Sequence, residues 1–256
     1  MAEMSKPQEL ETQKKGGDIE SGAAGTGGGA LYPKMTEDPR LRWAFIRKVY
    51  SILTAQFLFT AGVAAAMTFI RPIPDFVLSH TPASWAAYFG LLLSPLIVLW
   101  PMLHYRERHP VNLFWLALFT LCTSLSIGVV SATLGGRALL QAVILTATIL
   151  VALTIYTFWA VRKGHDFAFL YPFLFSCLLV LLVFLIIQQL CFPLTKIARA
   201  IYGCVASVVF SAFIVYDTDN LIKRHTYDQY ICAAISLYLD VINLFISLLT
   251  FSAAVE

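Results

Sequence analysis

Residues 213–245 read FIVYDTDNLIKRHTYDQYICAAISLYLDVINLF. Two apolar runs flank the charged break KRHTYD at 223–228, and each run carries a carboxylic acid, Asp217 before the break and Asp240 after it. A bilayer core of about 30 Å takes roughly 20 helical residues, so the second run is long enough to cross a membrane with an acid inside it. Leaving the interface near Gln229 or Tyr230 and rising 1.5 Å per residue, it would carry Asp240 about 15 Å deep. Asp217, six residues before Lys223, would lie about 9 Å below the same interface. Because the break is short, the two helices are antiparallel neighbours, and the two carboxyls are expected to meet.

The rest of the chain fits the same solvent. It has 256 residues, 59% hydrophobic and 13% charged, with a mean hydropathy of +0.75. Soluble domains are nearer 45 to 50% apolar and about 25% charged. Seven apolar runs emerge, at about 44–70, 85–103, 112–134, 138–161, 167–191, 197–220 and 229–253. They are separated by RPIPD at 71–75, HYRERHP at 104–110, GGR at 135–137, RKGHD at 162–166, PLTK at 193–196 and the KRHTYD break. The fold class is an all-α polytopic membrane protein, one seven-helix domain over 40–256. Residues 1–39 hold polar residues and SGAAGTGGGALYP, too few large apolar groups to offset ordering entropy, and are expected to form a disordered cytosolic tail. No Gly-Lys-Ser/Thr follows GTGGG, so a phosphate loop is not expected, and nothing at the start resembles a cleaved leader.

Basic residues set the orientation. Arg40, Arg42, Arg47, Lys48, Arg106, Arg108, Arg162, Lys163, Lys223 and Arg224 fall on one side, against Arg71, Arg137, Lys196 and Arg199 on the other. The positive-inside rule places the amino terminus in the cytosol. The net charge of +3 with no basic stripe argues against a nucleic-acid partner. Five cysteines, an odd number without CxxC spacing, read as free thiols, and the histidines show no transition-metal spacing.

An acid inside a bilayer is costly, about 2.5 to 3.5 kcal/mol on insertion scales, and marks function by default. Two carboxyls in one low-dielectric site would share a proton and titrate as a pair. Ser236, Asp240, Asn243 and Ser247 fall on one face of the last helix, a polar seam expected to point into the bundle beside Ser207 and Ser211 of the sixth run and Gln56 of the first. Asp219 and Asp228 are expected in solvent or among headgroups. Arg106 and Arg108 end the second run, as interfacial anchors or, for Arg106, as a counter-charge turned inward.

RWAFIRKVYSILTAQ at 42–56, HPVNLFWLALFTLCTSLSIGVVS at 109–131, VYDTDNLI at 215–222 and SLYLDVINLF at 236–245 resemble the Bax-inhibitor family, specifically its Lifeguard branch. The resemblance implies a seven-helix fold with a central seventh helix, passive pH-sensitive calcium leak across internal or plasma membranes, and suppression of stress-induced cell death. It makes Asp217 and Asp240 a proton-sensing dyad. It makes Arg106, with Arg108 as the other candidate, a modulating counter-charge. Asp219 stands where relatives often have a neutral residue and adds a charge that would alter the dyad or form a cytosolic calcium entry site. The end LLTFSAAVE lacks a basic tail, so calmodulin binding through such a tail is not carried over.

Three functions compete. A proton-gated calcium leak would use both carboxylates and the seam oxygens of Ser236, Asn243, Ser247 and Ser211 as a sparse, weak site, with calcium as permeant ion and no cofactor. An aspartyl intramembrane protease would also place Tyr-Asp and a second Asp on successive helices, but Tyr238-Leu239-Asp240 is not GxGD and no Pro-Ala-Leu follows. A non-conducting scaffold would bind other channels or cell-death regulators. Endoplasmic reticulum, Golgi, vacuolar and plasma membranes all stay open.

Overall fold

The computed structural model describes residues 30–33, 35–70, 72–77, 79, 81–191 and 195–256. Of the tail expected over 1–39, residues 1–29, including GTGGG, lie outside these residues, as do Arg71 and residues 192–194. The chain runs through α1 (Pro39–Phe69), α2 (Pro72–Val77), α3 (Pro82–His104), α4 (Val111–Leu134), α5 (Gly136–Arg162), α6 (Leu170–Cys191), α7 (Lys196–Lys223), a 3₁₀ turn (Tyr227–Gln229) and α8 (Tyr230–Val255). All but α2 and the turn are long and apolar enough to span a bilayer.

Local chemistry explains the starts. Asp38 accepts the backbone N–H of Arg40 and Pro39 occupies the first turn, so α1 begins five residues before its apolar run. Thr81 and Thr195 accept from Ser84 and Ala198 in the same way, capping α3 and α7. A capping box of Thr226 and Gln229 starts the last crossing. Gly135, at φ 97°, takes the left-handed backbone that turns α4 directly into α5. PIPDFV forms the short helix α2 where the sequence marks only a break at RPIPD.

At 26 residues and 1.5 Å per residue, α8 is about 39 Å long, enough to cross completely. It is the central helix. Its apolar window is 72% buried, against 11% for α3 and for α6. Around it pack α1, α4, α5 and α7, and its Leu237, Tyr238, Leu244, Phe245 and Leu249 are enclosed in the main core. α7 approaches most closely because Gly203 has no side chain: a Cβ there would lie 2.7 Å from the Ser247 carbonyl oxygen and 2.9 Å from the Phe251 nitrogen.

The amino-terminal approach to α1 is packed rather than loose. Leu31 is 2% exposed within the main core, with Tyr32 and Met35 against it. The expected boundary at residue 39 therefore falls inside a packed segment, because three large apolar residues near the end of an otherwise polar tail suffice to anchor it.

Candidate functional site

α7 and α8 bring Asp217 and Asp240 together, and the two carboxyls interact directly within the membrane-spanning bundle. Asp240 is 9% exposed and Asp217 half-buried. Among the described residues no donor reaches Asp240 Oδ2, which is buried. A carboxylate oxygen without a donor at such a depth is costly unless a proton, a cation or water meets it. The side chain of Asn220, one turn on, bonds Asp217, and the His225 side chain acts on Asp217 from the end of the helix. Asn220 also accepts from the Arg224 guanidinium, so one amide joins the dyad to the charges at the bundle surface.

Those charges form a clamp. Asp219, expected in solvent or headgroups, is instead 0% exposed. Its oxygens lie 2.6 Å from Lys223 Nζ and 3.2 Å from Arg224, and Oδ2 also accepts the Phe167 N–H at 3.4 Å. The correction has a plain cause: two residues after Asp217 on a helix is a turn of about 200°, which aims Asp219 at the α5–α6 loop rather than outward. That loop reciprocates. Asp166 pairs with Arg224 at 2.6 Å, and the His165 carbonyl accepts from Lys223 at 2.6 Å. Outside the spans, the Ala168 N–H and then Arg224 hold the Asp166 carboxyl below its ordinary value, against slight burial. Both oxygens of Asp219 are thus engaged by cations.

Arg106 is not brought to the dyad. It is half-exposed and pairs with Glu107 at 3.4 Å, while the Arg108 guanidinium lies 5.7 Å over the Tyr105 ring. Glu107 and Tyr105 satisfy these two locally. The buried cation beside the α7–α8 turn is Arg42, 2% exposed, which sequence reasoning counted only among orienting charges. It donates to the His225 carbonyl and pairs with Glu37 at 2.6 Å, and Tyr227 donates to the same carboxylate at 3.0 Å.

The polar seam divides. Ser236 and Ser211 are half-buried. Asn243 donates to the Leu239 carbonyl and Ser247 to the Asn243 carbonyl, and both line a cavity between α6, α7 and α8. On the opposite side of α8, Tyr238 meets a second buried polar cluster. Its hydroxyl lies 2.8 Å from that of Thr60, which is 2.9 Å from that of Ser124, while Gln56 donates to Thr120 at 2.8 Å. The paired spacings Gln56/Thr60 and Thr120/Ser124, four residues apart inside apolar runs, were the available signal. Among the described residues no three His, Cys, Asp or Glu side chains gather as a metal site.

The family model described as inhibitor of apoptosis-promoting Bax1 matches residues 42–255. Protein LIFEGUARD 2 of Arabidopsis thaliana is 54% identical over 88% of this chain and 94% of its own length. Protein lifeguard 4 of Mus musculus is 34% identical over 84% and 87%. The Golgi anti-apoptotic protein of Vaccinia virus (strain Lister) is 34% identical over 82% and 84%.

Proposed function

The chain belongs to the family of Bax1 inhibitors and its Lifeguard branch, and from that premise we propose that it is a pH-sensitive calcium leak pathway that protects cells from death. The observation that carries the reading is the meeting of Asp217 and Asp240, with Asp240 Oδ2 buried and unmet. Two adjoining carboxyls take up one proton in preference to holding two negative charges. Deprotonated, they offer oxygen ligands of the hard kind that calcium prefers, in a set too sparse to hold the ion tightly. Weak binding suits passage, since a permeating ion must leave again.

The groups facing this pair are Asn220 and His225 along α7 and its end. Beyond Asn220 lie Arg224, Asp219, Lys223 and Asp166 of the clamp. From α1, Tyr50 lies 3.3 Å from the Thr218 hydroxyl. Protonation of the dyad would therefore be felt at the end of α7 through one amide. The positive-inside count supports an amino terminus in the cytosol, with the dyad in the cytosolic half of the bundle. An endomembrane location fits the Golgi named for the viral relative.

The test is calcium efflux from proteoliposomes across a pH series. Wild-type protein is expected to pass calcium with a pH dependence that Asp217→Asn and Asp240→Asn each abolish. Flux whose pH dependence survives both substitutions would remove the dyad from the mechanism. Purified protein that passes no calcium at any pH would replace the leak with a scaffold that regulates other channels or cell-death proteins.

A further inference from the structure

α6 leans on α7 through Leu181, Ala206 and Val209, and Phe184 stacks on Tyr202 at 5.9 Å. It makes at most slight contact with α8. Between them is a wedge with about 890 Å³ of empty space. One wall is the leucine face of α6, Leu178, Leu182 and Leu185. Asn243 and Ser247 of α8 lie deeper, and Arg199 of α7 stands at the mouth. By rise along the helices, Arg199 is about 5 Å from the start of α7 and Asn243 about 20 Å from the start of α8, so the mouth opens at the face opposite the amino terminus.

This lining has a chemistry of its own. Arg199 is exposed and pairs with no carboxylate among the described residues. Asn243 gives one Nδ2 hydrogen to the Leu239 carbonyl and Ser247 its hydroxyl hydrogen to the Asn243 carbonyl, which leaves the second Asn243 N–H, its Oδ1 and the Ser247 lone pairs on two residues that line the cavity. Such polar atoms beside an apolar wall are costly against hydrocarbon alone. A suitable occupant has an anion for Arg199, a hydroxyl donor one to two turns deeper, and an apolar chain for the leucines. Taking about 30 Å³, the volume of one water in the liquid, for each methylene-sized group, this empty space with its open mouth takes at most about thirty such groups, one acyl chain with its glycerol phosphate and not two.

We infer that the α6/α7/α8 wedge binds a single-chain anionic glycerophospholipid, with its phosphate at Arg199, its free glycerol hydroxyl at Asn243 and Ser247, and its chain along Leu178, Leu182 and Leu185. The phosphate end at Arg199 lies at the opposite end of α7 from Asp217, while Asn243 is one turn from Asp240 on α8; occupancy is read by binding and does not require calcium passage.

The experiment measures binding of radiolabelled oleoyl lysophosphatidic acid to the full chain in nanodiscs of phosphatidylcholine. Wild-type protein is expected to bind it saturably, about one per chain. Arg199→Ala should weaken binding at least ten-fold, and Arg199→Lys should restore most of it. Leu182→Trp, which fills the wedge and leaves the arginine, should also abolish binding. Oleoyl lysophosphatidylcholine, inorganic phosphate and two-chain phosphatidic acid should compete poorly. Non-saturable uptake, undiminished binding by Arg199→Ala or by Leu182→Trp, or competition by phosphatidic acid or inorganic phosphate as strong as that of the probe itself would each overturn the site. Each variant is first required to be monodisperse with a wild-type melting temperature, and Arg199, being exposed, is replaced without loss of packing. Because the readout is binding, failure here leaves the leak reading standing, and failure of the leak leaves this one.

Discussion

Asp219 and Asp166 are two carboxylates in one cluster with opposite exposures. Asp219 is fully buried between Lys223 and Arg224, and its replacement by Asn removes a charge that two cations face. Hydrogen bonds to charged groups contribute about 1.5 to 3 kcal/mol. Asp219→Asn is therefore expected to lower the melting temperature of the purified protein clearly, with the α5–α6 loop losing protection first. Asp166, exposed, has its carboxyl held below the ordinary value of 3.8 by the Ala168 N–H and Arg224. A depressed carboxyl stabilises the fold above its unfolded value, and that contribution is lost as pH falls through the lower folded one. Hydrogen exchange of the loop over 163–169, corrected for intrinsic rate, should thus rise only below the ordinary carboxylate range. Asp166→Asn should show the raised exchange already at neutral pH. The two acids stand three residues apart from Phe169 and Ile222, ordinary lipid-span sequence, and nothing local in DTDN marks which aspartate is enclosed.

At the scale of elements, two glycines make contrasting predictions. A Cβ on Gly203 meets backbone atoms of α8 at 2.7 and 2.9 Å, which cannot move without separating the helices. A Cβ on Gly128 meets only side-chain atoms of Met67, its Sδ, Cγ and Cβ, and the sulfur in closest approach can swing away by rotation about the bonds of that flexible chain. Overpacking costs typically 1 to 3 kcal/mol. Gly203→Ala should destabilise by an amount in that range, and Gly128→Ala by much less, in parallel thermal melts. Since α7 carries Asp217 and α8 carries Asp240, Gly203→Ala should also disturb the pH dependence of flux, whereas Gly128→Ala should leave it. The existence and type of the seven long elements were legible because apolar runs and breaks are local signals. Their starts shifted by a few residues where a cap such as Asp38 outweighed hydropathy. The contact at Gly203 was not legible, because it depends on which residue of α8 lies opposite.

For the whole molecule, the feature that ties distant parts together is the packing of residues 31–33 and 35–37 across the end of the bundle. Leu31 is buried in the main core, Pro33 lies 3.4 Å from where a Cβ on Gly164 would be, and Glu37 joins Arg42 to Tyr227. Arg42 in turn holds the His225 carbonyl in the turn between the two dyad helices. Glu37→Ala leaves a nearly buried guanidinium without its carboxylate, and breaking such a pair costs more than the pair contributes. The expected outcome is faster hydrogen exchange around Leu31 and in the turn over 224–229, with little change in α3, which packs on the other side against α4.

Sequence alone determined that this chain spans a bilayer seven times, since the hydrophobic effect acts on composition and run length. It also led to the expectation that Asp217 and Asp240 meet, since a short break between two long helices makes them antiparallel neighbours. The tertiary structure alone decided that Asp219 is enclosed by cations, that Arg42 rather than Arg106 is the buried arginine, and that the seam of α8 ends in a wedge beside α6. Each of those outcomes depends on partners brought together from distant parts of the chain, and neither hydropathy nor helical periodicity specifies which side chain a residue will face.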